Sequence, residues 1–185
     1  MDDVKHLSTA ELEAGLDHIR QAPADGGSLM MIVRRPETDV REVVSEAQLD
    51  LADGLVGDNW KARGSSRMKD GSAHPEMQLN IMNSRVIELL CPDEARRPLA
   101  GDQLYIDIDL SDDNLPAGTR LAIGSAVVEV TAEPHNGCKK FAQRFGVDAV
   151  KFVNSAEGKR LHLRGINAKV VQAGTIQTGD VARKV

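Results

Sequence analysis

Residues 120–131 read Arg-Leu-Ala-Ile-Gly-Ser-Ala-Val-Val-Glu-Val-Thr, two short apolar runs joined by Gly124-Ser125. A two-residue connection containing glycine, set between such runs, is typical of a β-hairpin. Similar short strands are predicted at 28–34, 77–82, 104–109 and 165–172. No long helices alternate regularly with these strands, which disfavours a doubly wound parallel sheet. The sequence predicts a mostly β fold with short helices (α+β), a β-barrel into which helices are inserted.

The first 27 residues are predicted to form a helical appendage to a β-barrel domain at 28–185. Ser8 and Glu11 match a capping box, and the apolar residues that follow them share one helical face. The predicted helix covers 9–21 and ends before a stretch containing proline and glycine.

Three other segments carry local predictions. Residues 84–90 are predicted to form a short helix with Ser84 as its N-cap. The segment 41–51 is ambiguous between strand and helix. The polar, basic stretch from 59 to about 75 shows no pattern of regular structure, so it is predicted to be a functional or mobile loop.

The composition excludes several classes of function. The chain has 185 residues, 23 Lys+Arg against 28 Asp+Glu, and 3% aromatic residues. Nucleic-acid binding depends on neutralising phosphates and on stacking bases, and this composition suits neither. No apolar stretch could span a bilayer, and the N-terminal Met-Asp-Asp-Val-Lys-His does not resemble a secretory signal. We interpret the chain as a cytoplasmic protein that binds neither nucleic acid nor membranes.

The candidate reactive group is Cys138, in Glu-Pro-His-Asn-Gly-Cys-Lys-Lys-Phe-Ala-Gln-Arg-Phe-Gly at 133–146. Phe141 and Phe145 are spaced i, i+4, which predicts a short helix that begins just after the cysteine. Helix N-terminal amides and nearby cationic side chains favour thiolate over thiol. The alternative is a small buried hydrophobe, because cysteine is among the most often buried residues. The second cysteine, Cys91, ends an apolar segment and is interpreted as partly buried, without a functional role.

The sequence contains no C-x-x-C pair. Zinc ribbons, four-cysteine iron–sulfur clusters and thioredoxin-type motifs are therefore excluded. A zinc site built from Glu133 and His135 with His74 or His162 is one alternative for these histidines. The other, which we prefer, is that His135 is a turn residue that hydrogen-bonds locally or helps to stabilise the thiolate form of Cys138.

Several motifs occur in a characteristic order along the chain. They are Gly-Leu-Val-Gly-Asp at 54–58, a strand and helix at 77–90, the stretch 116–131, Gly-Cys-Lys-Lys-Phe at 137–141, Arg-Phe-Gly at 144–146 and the stretch 163–180. This ordered set resembles the MOSC domain, the family named for the C-terminal domain of molybdenum-cofactor sulfurase. The resemblance covers most of residues 28–185.

The resemblance implies a MOSC-type β-barrel, a functional Cys138 and an association with the molybdenum cofactor (molybdopterin). Some family members are thought to handle sulfur for that cofactor. Others bind it with the cysteine as a molybdenum ligand and reduce N-hydroxylated compounds. We recognise no pyridoxal-phosphate site and no ferredoxin-type cysteine cluster in this sequence. Sulfur or electrons would therefore come from a partner, a cysteine desulfurase or an external reductase.

Candidate cofactor-binding residues flank Cys138 or precede it in the basic loop. Lys139 and Arg164 are the first choices, because the resemblance puts both of their segments at the site. The remaining candidates are Lys61, Arg63, Asp58, His135 and the turn residue Asn136. Arginine and lysine side chains suit the phosphate oxygens of a pterin cofactor. The alternative is solvated surface charge for the basic residues, and a turn cap for Asp58.

Three functions are compatible with this sequence. The first is an enzyme that binds molybdenum cofactor through Cys138 and reduces N-hydroxylated small molecules with an external reductase. The second is a sulfur carrier, in which Cys138 accepts a persulfide and delivers sulfur to a metal–sulfur cofactor. The third is a ligand-binding module without turnover. The local sequence does not choose among them and leaves the oligomeric state open.

Overall fold

The computed structural model describes residues 6–185, which form a β-barrel with helices packed around it. The strands are β1 (Gly27–Arg34), β2 (Glu42–Val44), β3 (Glu46–Asp50), β4 (Gly54–Leu55), β5 (Leu79–Asn83), β6 (Leu104–Ile106), β7 (Arg120–Ile123), β8 (Ala126–Val130), β9 (Ile166–Gln172), β10 (Gly174–Gln177) and β11 (Val181–Lys184). The helices are α1 (Thr9–Ala14), α2 (Leu16–Arg20), α3 (Trp60–Arg63), α4 (Ser84–Leu90), α5 (Lys139–Phe145), α6 (Val147–Asn154) and α7 (Ala156–Arg160), with 3₁₀ turns at Pro75–Met77 and Glu94–Ala100.

Seven strands close the barrel in the order β1-β6-β5-β9-β8-β7-β11, and β11 pairs back to β1. All neighbours are antiparallel except β5 and β6. The β7–β8 hairpin has the register predicted from Gly124-Ser125, with Ile123 opposite Ala126. β2 extends the sheet beyond β1, and β10, β3 and β4 form a separate three-stranded sheet. The predicted mostly β barrel with short helices is therefore confirmed.

Two apolar clusters account for the packing. One holds barrel residues such as Leu29, Ile81 and Val128, and the other joins the barrel wall to the helices through residues such as Tyr105 and Phe152. Each large side chain removed from water contributes about 1.5–3 kcal/mol. Adjacent residues of β5 and β6 enter different clusters, since successive side chains point to opposite faces of a strand.

The observed strand β6 differs from the strand predicted at 104–109. The alternation over 104–109 predicted a half-buried strand with Tyr105 on the polar side, but the strand ends at Ile106 and Tyr105 is fully buried. The reason is the helical layer, which covers the outer face of the barrel at this point. The phenolic hydroxyl of Tyr105 donates a hydrogen bond to the carbonyl oxygen of Arg97 at 3.4 Å.

The predicted N-terminal helix is two helices. The capping box at Ser8 and Glu11 forms as expected, but α1 ends at Ala14 with Gly15 as its C-cap, and α2 begins at the next residue. A Cβ atom at Gly15 would lie 2.5 Å from Cδ1 of Leu89 in α4, so a larger residue there would have to displace the leucine side chain. Leu12 and Ile19 are buried in the second apolar cluster, which holds both helices against α4 and α6.

The basic stretch at 59–75 also departs from its prediction. It contains α3 and the 3₁₀ turn Pro75–Met77, because Trp60 is buried and anchors the first of these to the barrel. The ambiguous segment at 41–51 forms the two strands β2 and β3. Within residues 6–185, no helix has both the length and the apolarity needed to cross a membrane.

Ser84 is not the N-cap of α4. That position belongs to Asn83, whose side chain accepts a hydrogen bond from the backbone N–H of Arg85 at 2.9 Å. Asn83 also donates from Nδ2 to the carbonyl oxygen of Ile108. The same side chain therefore starts the helix and ties it to the segment after β6.

Candidate functional site

Cys138 is exposed and lies at the N-cap of α5. Its carbonyl oxygen accepts the backbone N–H of Ala142 at 3.0 Å, which starts the helix predicted from the Phe141–Phe145 spacing. Those two rings are buried and lie 4.9 Å apart between centroids, so they fix α5 to the barrel. The thiol is thus held at the surface by an anchored helix, and the alternative of a buried Cys138 is wrong.

The turn before Cys138 is clamped by α6. Asn154 accepts the backbone N–H of Gly137 at 2.9 Å and donates to its carbonyl oxygen at 3.0 Å. A Cβ atom at Gly137 would lie 2.9 Å from Cγ2 of Val153, so the turn approaches α6 too closely for a side chain. The local sequence did not reveal Asn154.

Cys138 opens into a cavity of about 310 Å³ that we call the arginine pocket. Its basic side chains come from parts of the chain that are distant in sequence. They are Arg35, Arg41, Arg63, Lys140, Arg144 and Arg164. Glu37, Asp39, His135 and Phe141 also line it, and Asp39 pairs with Arg144 at 3.0 Å and with Lys140 at 3.6 Å. Basic side chains therefore outnumber acidic ones in the lining, although the chain has a net charge of -5.

Two of these arginines are fixed by buried carboxylates. Arg35 binds Asp58 through Nε at 2.8 Å and Nη2 at 2.9 Å, and it also donates to Asn80. Arg164 donates from Nη1 to both oxygens of Asp102, at 3.0 and 2.7 Å. Such forked pairs hold a guanidinium group rigidly.

His135 joins the second pair. Its Nε2 lies 3.0 Å from Oδ1 of Asp102, and Arg164 stacks over the ring of Phe141 with 4.8 Å to the centroid. Burial disfavours ionisation of Asp102, but the charge of Arg164 and the bond to His135 outweigh it and lower the pKa of Asp102. Burial and repulsion from Arg164 lower the pKa of His135. The result is an ionised carboxylate between an arginine and a neutral histidine.

Arg41 and Arg63 lack such partners. Within residues 6–185 neither forms an ion pair, and Arg41 donates only to the carbonyl oxygen of Val40, at 2.7 Å. Burial lowers the pKa of Arg41, and repulsion from Arg144 and Arg35 lowers it further. Burial and repulsion from Arg35 likewise lower the pKa of Arg63. An anion bound between them would relieve this repulsion.

Buried polar atoms without partners mark the same cavity. Nε of Arg41, Nε of Arg164 and Oδ1 of Asn59 make no hydrogen bond within the described part of the chain. All three residues line the arginine pocket. Buried polar groups are almost always hydrogen-bonded, so these three atoms beside the pocket are exceptions.

The candidates named from the sequence divide into two groups. Cys138, His135, Arg63 and Arg164 line the arginine pocket, and Asp58 lies behind it, where it orients Arg35 and caps the turn at Trp60. The others do not line it. Lys139 is exposed, Lys61 pairs with Asp53 at 2.6 Å, and Asn136 lines a neighbouring cavity.

Arg35, Arg41 and Asp102 were not predicted from the sequence. One signal was available for Arg35, a charged residue that directly follows the buried run of β1 and precedes Pro36. The zinc alternative finds no support. Within residues 6–185, no group of three His, Cys, Asp or Glu side chains could hold a metal ion.

Comparisons with known proteins agree with this architecture. The family model described as the MOSC domain matches residues 72–183. Among solved structures, the chain is similar to YiiM from Escherichia coli, with a TM-score of 0.55 and 17% identity over 85% of this chain and 69% of that one. It is also similar to the YUAD protein from Bacillus subtilis, with a TM-score of 0.57 and 17% identity over 84% of this chain and 93% of that one.

At 17% sequence identity, the structural similarity indicates a shared fold and nothing about function. A comparison with curated protein sequences gave no match. The family model covers more than half of the chain, from just before β5 to the C-terminal strand β11. The chain therefore belongs to the MOSC domain family.

Proposed function

We propose that the chain binds the molybdenum cofactor in the arginine pocket, with Cys138 as the molybdenum ligand. Acting with an external reductase, it would reduce N-hydroxylated small molecules. One observation carries the proposal. The exposed Cys138 thiol shares a cavity with two arginines, Arg41 and Arg63, that have no carboxylate partner within residues 6–185.

The residues of the pocket fit this cofactor chemically. Arg41 and Arg63 would hold its phosphate, for which guanidinium donors are well suited. A soft thiolate suits a thiophilic metal. When bound, the cofactor would supply the redox chemistry, while the protein supplies binding and orientation.

The chain's own residues prepare the site. Asn154 fixes the turn before Cys138, so the thiol is held without rearrangement. Asp102 holds Arg164 and His135 in one hydrogen-bonded unit beside the thiol. A ligand would therefore meet a wall that is already ordered, which reduces the entropy lost on binding.

The direct test is elemental analysis of protein purified from cells that make the cofactor. Stoichiometric molybdenum and pterin fluorescence are expected in the wild type. Both should be lost in Cys138→Ser and retained in Cys91→Ser, the matched control. Cys91 is buried, and a serine there keeps the donor to the carbonyl oxygen of Asp93. Wild-type protein that contains neither metal nor pterin would contradict the proposal.

The exposure of Cys138 also favours a second candidate, the sulfur carrier. A persulfide on Cys138 would be open to a partner, and the other cysteine is buried. The test is the intact mass of the protein after incubation with a cysteine desulfurase and free cysteine. The mass of one added sulfur atom, absent in Cys138→Ser, would support the carrier. An unchanged mass would exclude it.

A further inference from the structure

Carboxylates of two kinds pair with the basic side chains of the arginine pocket. Those that hold Arg35 and Arg164 are completely buried. Asp39 differs, because its side chain is 62% exposed where it lies 3.0 Å from Nη2 of Arg144 and 3.6 Å from Nζ of Lys140. Removing a buried carboxylate leaves a buried charge unpaired, whereas an exposed ion pair contributes little stability. Asp39 is therefore the carboxylate that a bound anion would replace most easily.

Asp39 lies on a short turn at the edge of the pocket. The backbone N–H of Val40 donates to the carbonyl oxygen of Glu37 at 3.2 Å, which closes the turn. Asp39 has a φ of 62°, in the left-handed region that aspartate adopts more readily than most residues. The turn holds the backbone of Asp39 beside the pocket, so only the side chain has to move for the ion pair to open.

Arg144 has a second anchor besides Asp39. Its Nη1 donates to the carbonyl oxygen of Leu99 at 2.6 Å, while Nη2 donates to Asp39. The bond to Leu99 does not depend on the carboxylate, so the guanidinium group keeps an anchor when the Asp39 side chain turns away. An anion that takes the place of Asp39 would meet a donor that is already oriented.

Arg41 approaches the same part of the pocket wall as Arg144. A Cβ atom at Gly101, which lines the pocket, would lie 3.8 Å from Nη2 of Arg41 and 4.0 Å from Nη1 of Arg144. The two guanidinium groups therefore flank one point. Burial lowers the pKa of Arg41, the charge of Arg144 lowers it further, and the charge of Asp39 opposes both effects. Asp39 thus acts as an internal counter-ion for this pair of arginines.

We infer that Arg41, Lys140 and Arg144 form an anion subsite, that the Asp39 side chain occupies it in the free protein, and that a phosphate group displaces this side chain. The inference rests on the proposed function only in placing a phosphate in the arginine pocket, and neither molybdenum nor Cys138 takes part. Three cations suit the several oxygens and the double charge of phosphate. A monovalent anion gains no more from them than the tethered carboxylate does, so Asp39 makes the subsite selective for phosphate.

Isothermal titration of pyrophosphate into the full chain, purified from cells that do not make the cofactor, tests this competition. Asp39→Asn removes the competing charge and should tighten binding by roughly 1.5- to fivefold, the range for an exposed ion pair. Glu37→Gln is the matched control, because Glu37 lines the pocket on the same turn but forms no ion pair within residues 6–185. It should change the affinity less. In an Arg144→Gln background the gain from Asp39→Asn should shrink, and thermal melting should show that each variant folds.

NMR of protein with ¹³C-labelled aspartate measures the displacement itself. The carboxyl signal of Asp39, assigned by its absence in Asp39→Asn, should move as pyrophosphate is added. The signal of Asp53 is the internal control, because this side chain is 52% exposed and pairs with Lys61 outside the pocket. It should stay in place.

Phenyl phosphate in a parallel titration distinguishes an organic phosphate ester from the free anion. A gain in Asp39→Asn with either probe supports the inference and identifies the source of the phosphate. Absence of saturable binding of both probes would overturn it. So would unchanged affinity in Asp39→Asn, an equal gain in Glu37→Gln, or an Asp39 signal that does not move. Molybdenum and pterin content is measured on other preparations, so neither result decides the other.

Discussion

Asn154, the last residue of α6, forms two hydrogen bonds with the backbone of Gly137: its Oδ1 accepts the N–H of Gly137 at 2.9 Å, and its Nδ2 donates to the carbonyl oxygen of Gly137 at 3.0 Å. An amide side chain can satisfy a backbone donor and a backbone acceptor at once. The turn that presents Cys138 is therefore fixed by a helix that follows it in the chain. Its position depends on α6 as well as on α5, which Cys138 caps.

Asn154→Ala should loosen this turn. Loss of both hydrogen bonds leaves two backbone groups of Gly137 unpaired, and we expect the free energy of unfolding to fall by about 1–3 kcal/mol. Urea denaturation measures the loss, and amide hydrogen exchange at Gly137 should become faster. Asn136→Ala is the control, since Asn136 is exposed and makes no hydrogen bond within residues 6–185. Equal stability of the two variants would contradict the role given to Asn154.

Gly137→Ala should be destabilising for a different reason. The added Cβ would approach Cγ2 of Val153 to 2.9 Å, and overpacking of this kind costs about 1–3 kcal/mol. In a Val153→Ala background the clash is absent, so the same change should cost less. A double-mutant cycle of unfolding free energies measures the difference, expected at about 0.5–3 kcal/mol. Additive costs would show that the two residues do not interact.

Asp102→Asn should be among the most damaging single changes. It removes the negative charge that compensates the buried Arg164, and breaking a buried ion pair costs about 3–5 kcal/mol. Asp107→Asn breaks the pair with Arg85, which is partly exposed, and should cost about 0–1 kcal/mol. Thermal melting of the two variants tests this contrast. Similar losses would mean that Arg164 is solvated in the folded protein.

His135 should give the protein a pH-dependent stability. Its pKa is lowered from the ordinary 6.5, so below about pH 6.5 the unfolded chain binds more protons than the folded one. Stability contributed by the neutral ring is therefore present above that pH and declines as the pH falls, by at most about 1.4 kcal/mol per pH unit.

Urea denaturation between pH 7.5 and pH 5 measures this slope. Asp102 and Glu157 have lowered pKa values too, that of Glu157 about 2. Their effect on stability begins only in more acidic solution, as the pH falls below about 5 and the carboxyl groups of the unfolded chain take up protons. His135→Phe should flatten the slope in this window. A slope that survives the substitution would have to come from other groups.

The sequence predicted those parts of the site that lie close to Cys138 in the chain. The Phe141–Phe145 spacing gave the helix after Cys138. The family resemblance singled out Cys138, Arg164 and Lys139, of which only the first two line the arginine pocket. Arg35 and Arg41 could not be found in this way. They precede Cys138 by about a hundred residues, and only the closure of the barrel brings them beside it.

The predictions about the fold that were wrong have the same cause, contacts between residues that are distant in sequence. At Gly15, where α1 and α2 meet, the backbone lies close to Leu89 of α4, and this contact is not visible in either local sequence. Tyr105 was predicted on the polar side of the strand because it alternates in phase with Asp107 and Asp109, yet the helical layer covers it. Such tertiary contacts override the local pattern.

Lys61 and Arg63 allow the sharpest test of the arginine pocket. Both were candidates for phosphate binding, and they are two residues apart on α3, so they point to different sides of the helix. Arg63 lines the pocket, whereas Lys61 pairs with Asp53 outside it. Pyrophosphate is a simple probe for an anion site of this kind. It should raise the melting temperature of the wild type, because a ligand that binds only the folded state stabilises it.

Arg63→Ala should weaken pyrophosphate binding by roughly tenfold to a hundredfold, the range for a hydrogen bond to a charged group. Lys61→Ala removes the same charge from the same helix and should leave the affinity unchanged. Sodium chloride at matched ionic strength controls for general screening of the positive cluster. If the two variants lose affinity equally, pyrophosphate responds to the overall charge of α3 and not to the pocket that holds Cys138.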